Sequence, residues 1–158
     1  MNVLNMIYFM EEGKPILLVG ETGTSKTMTS IMVCEYLNLL YHKKYFKYDI
    51  NQETKIEHFI YKKKLNMNNF HLKYEIGDFI KAFTEGYILI LDGINLASNE
   101  VLNFIVKAIK NKIICYEINK EFKINKIHHN FSLIIIKSSL NSSDNENKIN
   151  PIYCPYFK

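Results

Sequence analysis

Eight residues near the start of the chain combine glycines, hydroxyls and a lysine at a spacing suited to phosphate chemistry. Their sequence is Gly20-Glu21-Thr22-Gly23-Thr24-Ser25-Lys26-Thr27. An apolar run typical of a strand precedes them and a long apolar run typical of a helix follows. In a strand, loop and helix of this kind, backbone N–H groups surround a phosphate and the helix N-terminus points at it. We expect Lys26 to reach the outer phosphates and the Thr27 hydroxyl to bind Mg²⁺.

One position of this loop departs from the usual pattern. Ser25 stands where G-x-x-x-x-G-K-[ST] has its last glycine. Glycine suits that position because the backbone must approach a phosphate in a left-handed conformation, which costs a residue with a Cβ atom roughly 1–2 kcal/mol. We therefore expect phosphate binding to be weakened and not abolished. The alternative is a capped helix start that binds nothing.

A carboxylate at the end of an apolar strand is the second candidate. The run from Tyr87 to Leu91 ends at Asp92. In nucleotide hydrolases with a phosphate loop, an aspartate at this position supplies a carboxylate to the Mg²⁺ site. Asp92, together with the Thr27 hydroxyl, is therefore a predicted metal-site residue. The next residue, Gly93, has no side chain, whereas enzymes that activate water usually carry a glutamate there. The alternative for Asp92-Gly93 is a tight turn.

Helices and strands must position these residues, and the sequence predicts both in alternation. The predicted elements are a short helix from Met1 to Glu12 ending at Gly13, a strand at Ile16 to Val19, a helix from Lys26 to Tyr41, a strand at Tyr45 to Ile50, a short helix at Lys55 to Tyr61, a helix between Gly77 and Gly86, a strand at Tyr87 to Asp92, a helix capped by Ser98, a hairpin of Ile113 to Glu117 with Phe122 to Ile124, and a strand at Phe131 to Ile136.

These continuous apolar strands predict an α/β fold with a mainly parallel sheet sandwiched by helices. The helix from Lys26 to Tyr41 is apolar almost all round, so we expect it to be largely buried. Ligands of such sheets lie beyond the carboxyl ends of the strands. The fold would therefore bring Lys26 and Asp92 together.

Length and composition set the remaining bounds. A chain of 158 residues is expected to form one domain, and its net charge of +4 is too weak to argue for nucleic acid. All 20 basic residues are lysines, with no arginine. The cysteines are isolated and odd in number, which favours a reducing compartment without disulfides or zinc. No apolar run reaches the length of a membrane span, and the N-terminus lacks the features of a signal peptide.

Two further clusters are expected to lie at the surface. Lys62-Lys63-Lys64 is interpreted as a solvated loop, and contact with nucleic acid or an acidic partner is the less favoured alternative. The adjacent His128 and His129 are expected to point in opposite directions and not to share a metal ion.

With both motifs placed, the sequence resembles the dynein-related branch of the AAA+ ATPases, in particular its midasin-like modules. The residues that carry the resemblance are Lys14 to Thr24, Asn51-Gln52-Glu53-Thr54, Glu75-Ile76-Gly77 through Glu85-Gly86, Leu91-Asp92-Gly93-Ile94-Asn95-Leu96-Ala97, Asn130-Phe131 and Asn150-Pro151. The resemblance spans nearly the whole chain. It implies a P-loop NTPase core that binds ATP and Mg²⁺ and that can form AAA-type oligomers or larger assemblies.

The resemblance also implies roles at further positions. Ser138, with Ser139 and Asn141 as alternatives, falls near the sensor asparagine of the family, and Tyr156 falls where the family has an arginine. The sequence stops at Lys158, before the fifth strand and helical lid of the family, so we expect both to be missing. The base would then be held mainly by Ile7 to Gly13 in a partly open pocket.

Three functions remain open at this stage. The first is an ATP-binding module with weak or lost hydrolysis, because the glutamate and the arginine are replaced. The second is a competent ATPase in a larger ring, with arginine supplied in trans and Glu21 or Glu100 replacing the missing glutamate, although Glu100 lies about two helical turns away. The third is a scaffold that binds no nucleotide. An intracellular location is expected. A midasin-like function would imply the nucleus and large ribosomal subunit maturation, and otherwise the cytoplasm is expected.

Overall fold

The computed structural model describes residues 3–66, 71–118 and 120–139. In chain order the elements are α1 Val3–Glu11, β1 Ile16–Glu21, α2 Lys26–Tyr41, β2 Tyr45–Asp49, α3 Ile56–Ile60, β3 Tyr61–Asn66, β4 His71–Ile76, α4 Asp78–Glu85, β5 Ile88–Asp92, a single 3₁₀ turn at Ile94–Leu96, α5 Asn99–Asn111, β6 Ile113–Ile118, β7 Glu121–Lys126 and β8 Ser132–Ser139.

A parallel sheet of four strands, in the order β1-β8-β5-β2, forms the centre of the fold. Ile88, Leu89, Ile90 and Leu91 are fully buried because helices cover both faces of β5. This explains why the strand reads as an unbroken apolar run. The predicted α/β fold with a mainly parallel sheet between helices is confirmed. Among the described residues, the central sheet has four strands, without a fifth, and no helical lid is present.

Each face of the sheet has its own apolar core. On one face, hereafter the α2 face, side chains of α1 and α2 pack against alternate residues of the strands, including Ile88, Ile90, Ile134 and Ile136. On the other face, α3, α4, α5 and strand β6 cover the intervening residues, including Leu89 and Leu91. The two-residue alternation of a strand therefore assigns every sheet side chain to one core or the other.

Two antiparallel hairpins, β3–β4 and β6–β7, are inserted between elements of the central sheet. The β6–β7 hairpin was predicted. The prediction of a loop at Lys62 to Lys64 is wrong, because these residues lie within β3 and pair with β4. The charge run remains exposed, and Lys62 forms an ion pair of 2.6 Å with Asp78. A run of lysines is compatible with a strand when both faces of that strand meet water.

The expected burial of α2 is also wrong. Only Ser30, Val33, Cys34 and Leu37 are buried along this helix. The opposite side is an exposed apolar stripe, consisting of Met28, Met32, Tyr36 and Leu39, with exposed fractions between 53% and 77%. An apolar composition on every side predicts burial only when something covers every side, and in the described residues α2 is covered on one side.

Strand β1 lies at the edge of the sheet, so it is less buried than its apolar sequence predicts. Ile16 and Leu18 are buried in the α2-face core, whereas Val19 on the other face is 57% exposed. No helix in the part of the chain that the structure describes is long and apolar enough to cross a membrane.

Candidate functional site

The predicted phosphate loop connects the end of β1 to the start of α2. Its lysine turns back into the loop: Lys26 Nζ donates hydrogen bonds to the carbonyl oxygens of Gly20 at 2.7 Å and Glu21 at 2.6 Å, and to Thr24 Oγ1 at 3.1 Å. The ammonium group therefore lies inside the loop ahead of the helix N-terminus. A positive charge at this place is suited to an anionic group bound by the loop.

Ser25 takes the backbone conformation for which a glycine was expected. Its φ of 56° and ψ of 18° lie in the left-handed region, and its side chain makes no capping hydrogen bond to the helix. The structure thus gives the reason for the glycine in the usual pattern, and the strain at Ser25 is roughly 1–2 kcal/mol. Gly23, with φ of +86°, has nothing within 4 Å of a Cβ position, so the loop is open on that side.

The residue after the lysine contacts the predicted metal-site carboxylate directly. Thr27 Oγ1 donates a hydrogen bond of 2.6 Å to Asp92 Oδ2. Sixty-five residues separate them in the chain, and the topology brings them together because β1 and β5 both lie beside β8 with their carboxyl ends at the same edge. This geometry agrees with the expectation that Lys26 and Asp92 lie in one site.

A hydroxyl and a carboxylate form an oxygen donor set. Mg²⁺ prefers oxygen ligands and usually keeps several waters, with one or two carboxylates and substrate phosphates completing its shell. Thr27 and Asp92 fit this requirement in donor chemistry. Their roles, and those of residues 20 to 26 toward phosphates, remain predictions.

The segment after Asp92 is fixed by its neighbours on both sides. Gly93 has a φ of +80°, and a Cβ atom placed on it would lie 2.7 Å from the carbonyl oxygen of Ile50. Its amide N–H donates to the carbonyl of Ile136 at 3.1 Å. Glycine is therefore required by the local geometry, and a side chain at this position would meet the main chain after β2.

Ser138, the candidate sensor residue, lies on β8 in register with Gly20. Its backbone N–H donates to Asn95 Oδ1 at 3.4 Å, so the turn after β5 is tied to β8. Sequence reasoning used Asn95 only as part of a motif and assigned no contact to it. The alternative Ser139 lies beside Glu21, while Asn141 and Tyr156 fall outside the described residues.

The N-terminal segment does not lie where a bound base was expected. Ile7, Met10 and Glu11 line a shallow depression of about 140 Å³ together with Leu37, Tyr41 and Lys43. Leu37 and Tyr41 belong to the C-terminal part of α2, and a helix of this length spans roughly 24 Å. The depression is therefore at the far end of α2 from the phosphate loop, which contradicts the expectation for Ile7 to Gly13.

Other candidate groups are not part of this site. The rings of His128 and His129 stack with centroids 4.3 Å apart, so the expectation that they point apart is wrong. Within residues 3–66, 71–118 and 120–139, no three His, Cys, Asp or Glu side chains are grouped to hold a metal ion. Burial raises the pKa of Cys34 to about 12, so this thiol is an inert part of the α2-face core.

The parallel sheet, the loop after its edge strand β1 and the carboxylate at the end of β5 define a P-loop NTPase fold. The AAA domain of the dynein-related subfamily matches residues 15–151, and the chain belongs to this family. Members of the family in general bind ATP with Mg²⁺ and commonly form oligomers.

Solved structures support the fold, whereas a search of curated proteins finds no match. A crystal structure of a protein from Cytophaga hutchinsonii, named a "putative ATPase", aligns with a TM-score of 0.69 at 12% identity. The alignment covers 97% of this chain and 42% of that one, so the chain spans less than half the length of that protein. At this identity the similarity concerns the fold. The predicted family is confirmed.

Proposed function

We propose that the chain is an Mg·ATP-binding module of the dynein-related AAA type in which hydrolysis is weak or lost. The observation that carries the binding part is the hydrogen bond between Thr27 and Asp92, directly beside Lys26. Bound Mg²⁺ would screen the charge of the outer phosphates. The loop amides and the Lys26 ammonium bind the phosphates. Thr27 and Asp92 would hold the Mg²⁺ that accompanies the nucleotide.

The proposal of weak hydrolysis rests on two missing groups. At position 93 there is no carboxylate to position water, because the residue is glycine in a conformation that disfavours any side chain. The 158-residue sequence contains no arginine, so it cannot supply an arginine finger to a neighbour. Such a finger contributes roughly 10³ to 10⁵ in rate. Preorganised charges of this kind usually provide the largest part of catalysis.

Nucleotide affinity with and without Mg²⁺ tests the binding part of the proposal. We expect saturable binding of a fluorescent ATP analogue that is stronger with Mg²⁺. Lys26→Ala should weaken it about tenfold or more, because a charge-assisted contact contributes roughly 1.5–3 kcal/mol. Lys14→Ala is the matched control, since it removes the same charge from an exposed side chain at the opposite end of β1. Equal affinities in both variants would contradict the proposal.

Phosphate release tests the hydrolysis part. We expect a rate near background for the isolated protein. A rate typical of enzymes that disappears in Lys26→Ala would show that hydrolysis is intact. Stimulation by an added chain that carries an arginine would favour the competent ring ATPase.

The exposed apolar stripe on α2 favours a second candidate, a protein-interaction scaffold. Met28, Met32, Tyr36 and Leu39 are exposed side by side on a helix, and apolar patches of this kind mark interaction sites. If the protein bound no nucleotide and Lys26→Ala were neutral, this function would be preferred. Saturable Mg²⁺-dependent binding of ATP would exclude a scaffold that has lost nucleotide binding.

The segment Leu91 to Ala97 supports a finer proposal, that the module is midasin-like. By analogy this would place it in the nucleus, in ATP-driven remodelling during large ribosomal subunit maturation. Co-purification of a tagged protein with precursors of the large ribosomal subunit is the expected result. Recovery of the protein free of such particles would contradict it.

A further inference from the structure

A carboxylate that the motifs do not include lies next to Asp92. Asp49, the last residue of β2, is in direct register with Asp92 on β5. Neighbouring strands of a sheet lie about 4.8 Å apart. The amide of Ile50 then donates to the carbonyl of Asp92 at 2.8 Å, so the pairing of the two strands continues through both aspartates.

Alternation along the strands places both carboxylates on the α2 face. Tyr45, in register with Ile88, packs with the α1 and α2 core, whereas Phe46 and Tyr48 pack with the opposite core. Asp49 has the same parity as Tyr45. Asp92 has the same parity as Ile88, and its bond to Thr27 on α2 confirms its direction.

The charge of Asp49 is paired with a lysine, but the aspartate side of the pair faces solvent. Its carboxylate forms an ion pair with Lys47, and its side chain is 75% exposed. An ion pair this exposed contributes little to stability, typically 0–1 kcal/mol. Because the ion pair contributes so little, the Asp49 carboxylate can turn toward a cation without disturbing the fold.

We propose that Asp49 is a second positioning carboxylate for Mg·ATP, acting with Asp92 on the hydrated metal. Mg²⁺ is commonly bound through one or two carboxylates with several waters retained. Gly93 provides no acidic group beside Asp92, and Asp49 supplies negative charge on the neighbouring strand. The inference rests on the proposed Mg·ATP binding and adds to it a residue that the phosphate-loop motifs do not contain.

The decisive measurement is the gain in ATP affinity that Mg²⁺ produces, determined from titrations in Mg²⁺ and in EDTA. Asp49→Asn should reduce this gain about three- to tenfold, the effect of one nearby charge at an exposed site. The same variant should bind ATP in EDTA equally well or more tightly, because a negative charge near the phosphates has been removed. Asp49→Glu should retain most of the gain, since it keeps the charge.

Two further variants separate this role from general effects. Glu12→Gln removes the same charge from an exposed residue just before the start of β1 and should leave the gain unchanged. Lys47→Gln removes the ion-pair partner of Asp49 and should increase the gain. Thermal melting of each variant verifies folding, and the exposure of Asp49 predicts melting temperatures close to that of the wild type.

The outcomes distinguish this inference from the proposed function. If wild-type protein binds no ATP under either condition, the proposed function is wrong and this inference with it. If wild type shows an Mg²⁺ gain that Asp49→Asn leaves unchanged, only the role of Asp49 is refuted. An equal loss of affinity in Mg²⁺ and EDTA would indicate a structural role and would also refute it.

Discussion

We predict that Gly93→Glu, which introduces the glutamate of the family pattern, will not give ATP hydrolysis at an enzymatic rate. Gly93 has a φ of +80°, and a Cβ atom there would lie 2.7 Å from the carbonyl oxygen of Ile50. That oxygen cannot easily move away, because the Ile50 amide is bonded to Asp92 and its side chain is 4% exposed. The substitution therefore disturbs the contact between the ends of β2 and β5 on which Asp92 depends.

The magnitude follows from two contributions. A non-glycine residue in the left-handed region costs roughly 1–2 kcal/mol, and forcing an extra atom into a packed site costs roughly 1–3 kcal/mol. Together they lower the free energy of unfolding by about 2–5 kcal/mol. For a chain of this size each kcal/mol corresponds to about 2–4 °C in Tm.

Thermal melting and a phosphate-release assay should be made on Gly93→Glu and on Gly93→Ala. The alanine variant shares the backbone strain and lacks the carboxylate, so both should melt well below the wild type and neither should release phosphate above background. Wild-type melting of Gly93→Glu together with ATP hydrolysis at an enzymatic rate would refute this prediction.

Four more substitutions or treatments have definite expected outcomes. Ser25→Gly should relieve left-handed strain that is already present in the fold and should raise Tm, and an unchanged melting curve would argue against that strain. Gly77→Ala should lower Tm strongly, because a Cβ atom there would lie 2.3 Å from a carbonyl oxygen of α3; a normal melting curve would contradict the close approach. Burial raises the pKa of Cys34 to about 12, so alkylation mapped by mass spectrometry should spare this thiol in native protein at pH 8. The same shift predicts that the free energy of unfolding falls as pH rises from about 9 toward 12, since the unfolded thiol ionises first.

Local sequence signals predicted most elements because the relevant physics is local. The bounds of α2 follow from Lys26 after a loop and Tyr41 before a polar run, and the structure has the same bounds. The cap at Ser98 is also present, with Ser98 Oγ accepting a hydrogen bond of 3.3 Å from the Val101 amide. Unbroken apolar runs located β5 and β8 because both faces of those strands are covered.

Features that depend on distant parts of the chain were not predictable in this way. Whether an apolar helix face is covered depends on what packs there, so the exposed stripe of α2 could not be inferred from its composition. The lysine run in β3 was misassigned because the pairing with β4 is what makes it a strand. The position of Asp49 beside Asp92 required the strand order and register. A strand ending in an acidic residue, seen at both β2 and β5, was the available signal.

Binding and hydrolysis depend on different parts of this site. The groups proposed to bind phosphate belong to the loop between β1 and α2, where Lys26 bonds to loop atoms and Thr27 reaches Asp92. The group that would activate water belongs to the turn after β5, where Gly93 is held against the main chain of β2 and β8. A change in that turn can remove hydrolysis while leaving the loop intact, because no described hydrogen bond of Gly93 involves the loop. Under the proposed function, weak hydrolysis with retained binding therefore requires no change in the fold, and we expect the backbone conformation at Gly93 to prevent a single substitution there from giving hydrolysis.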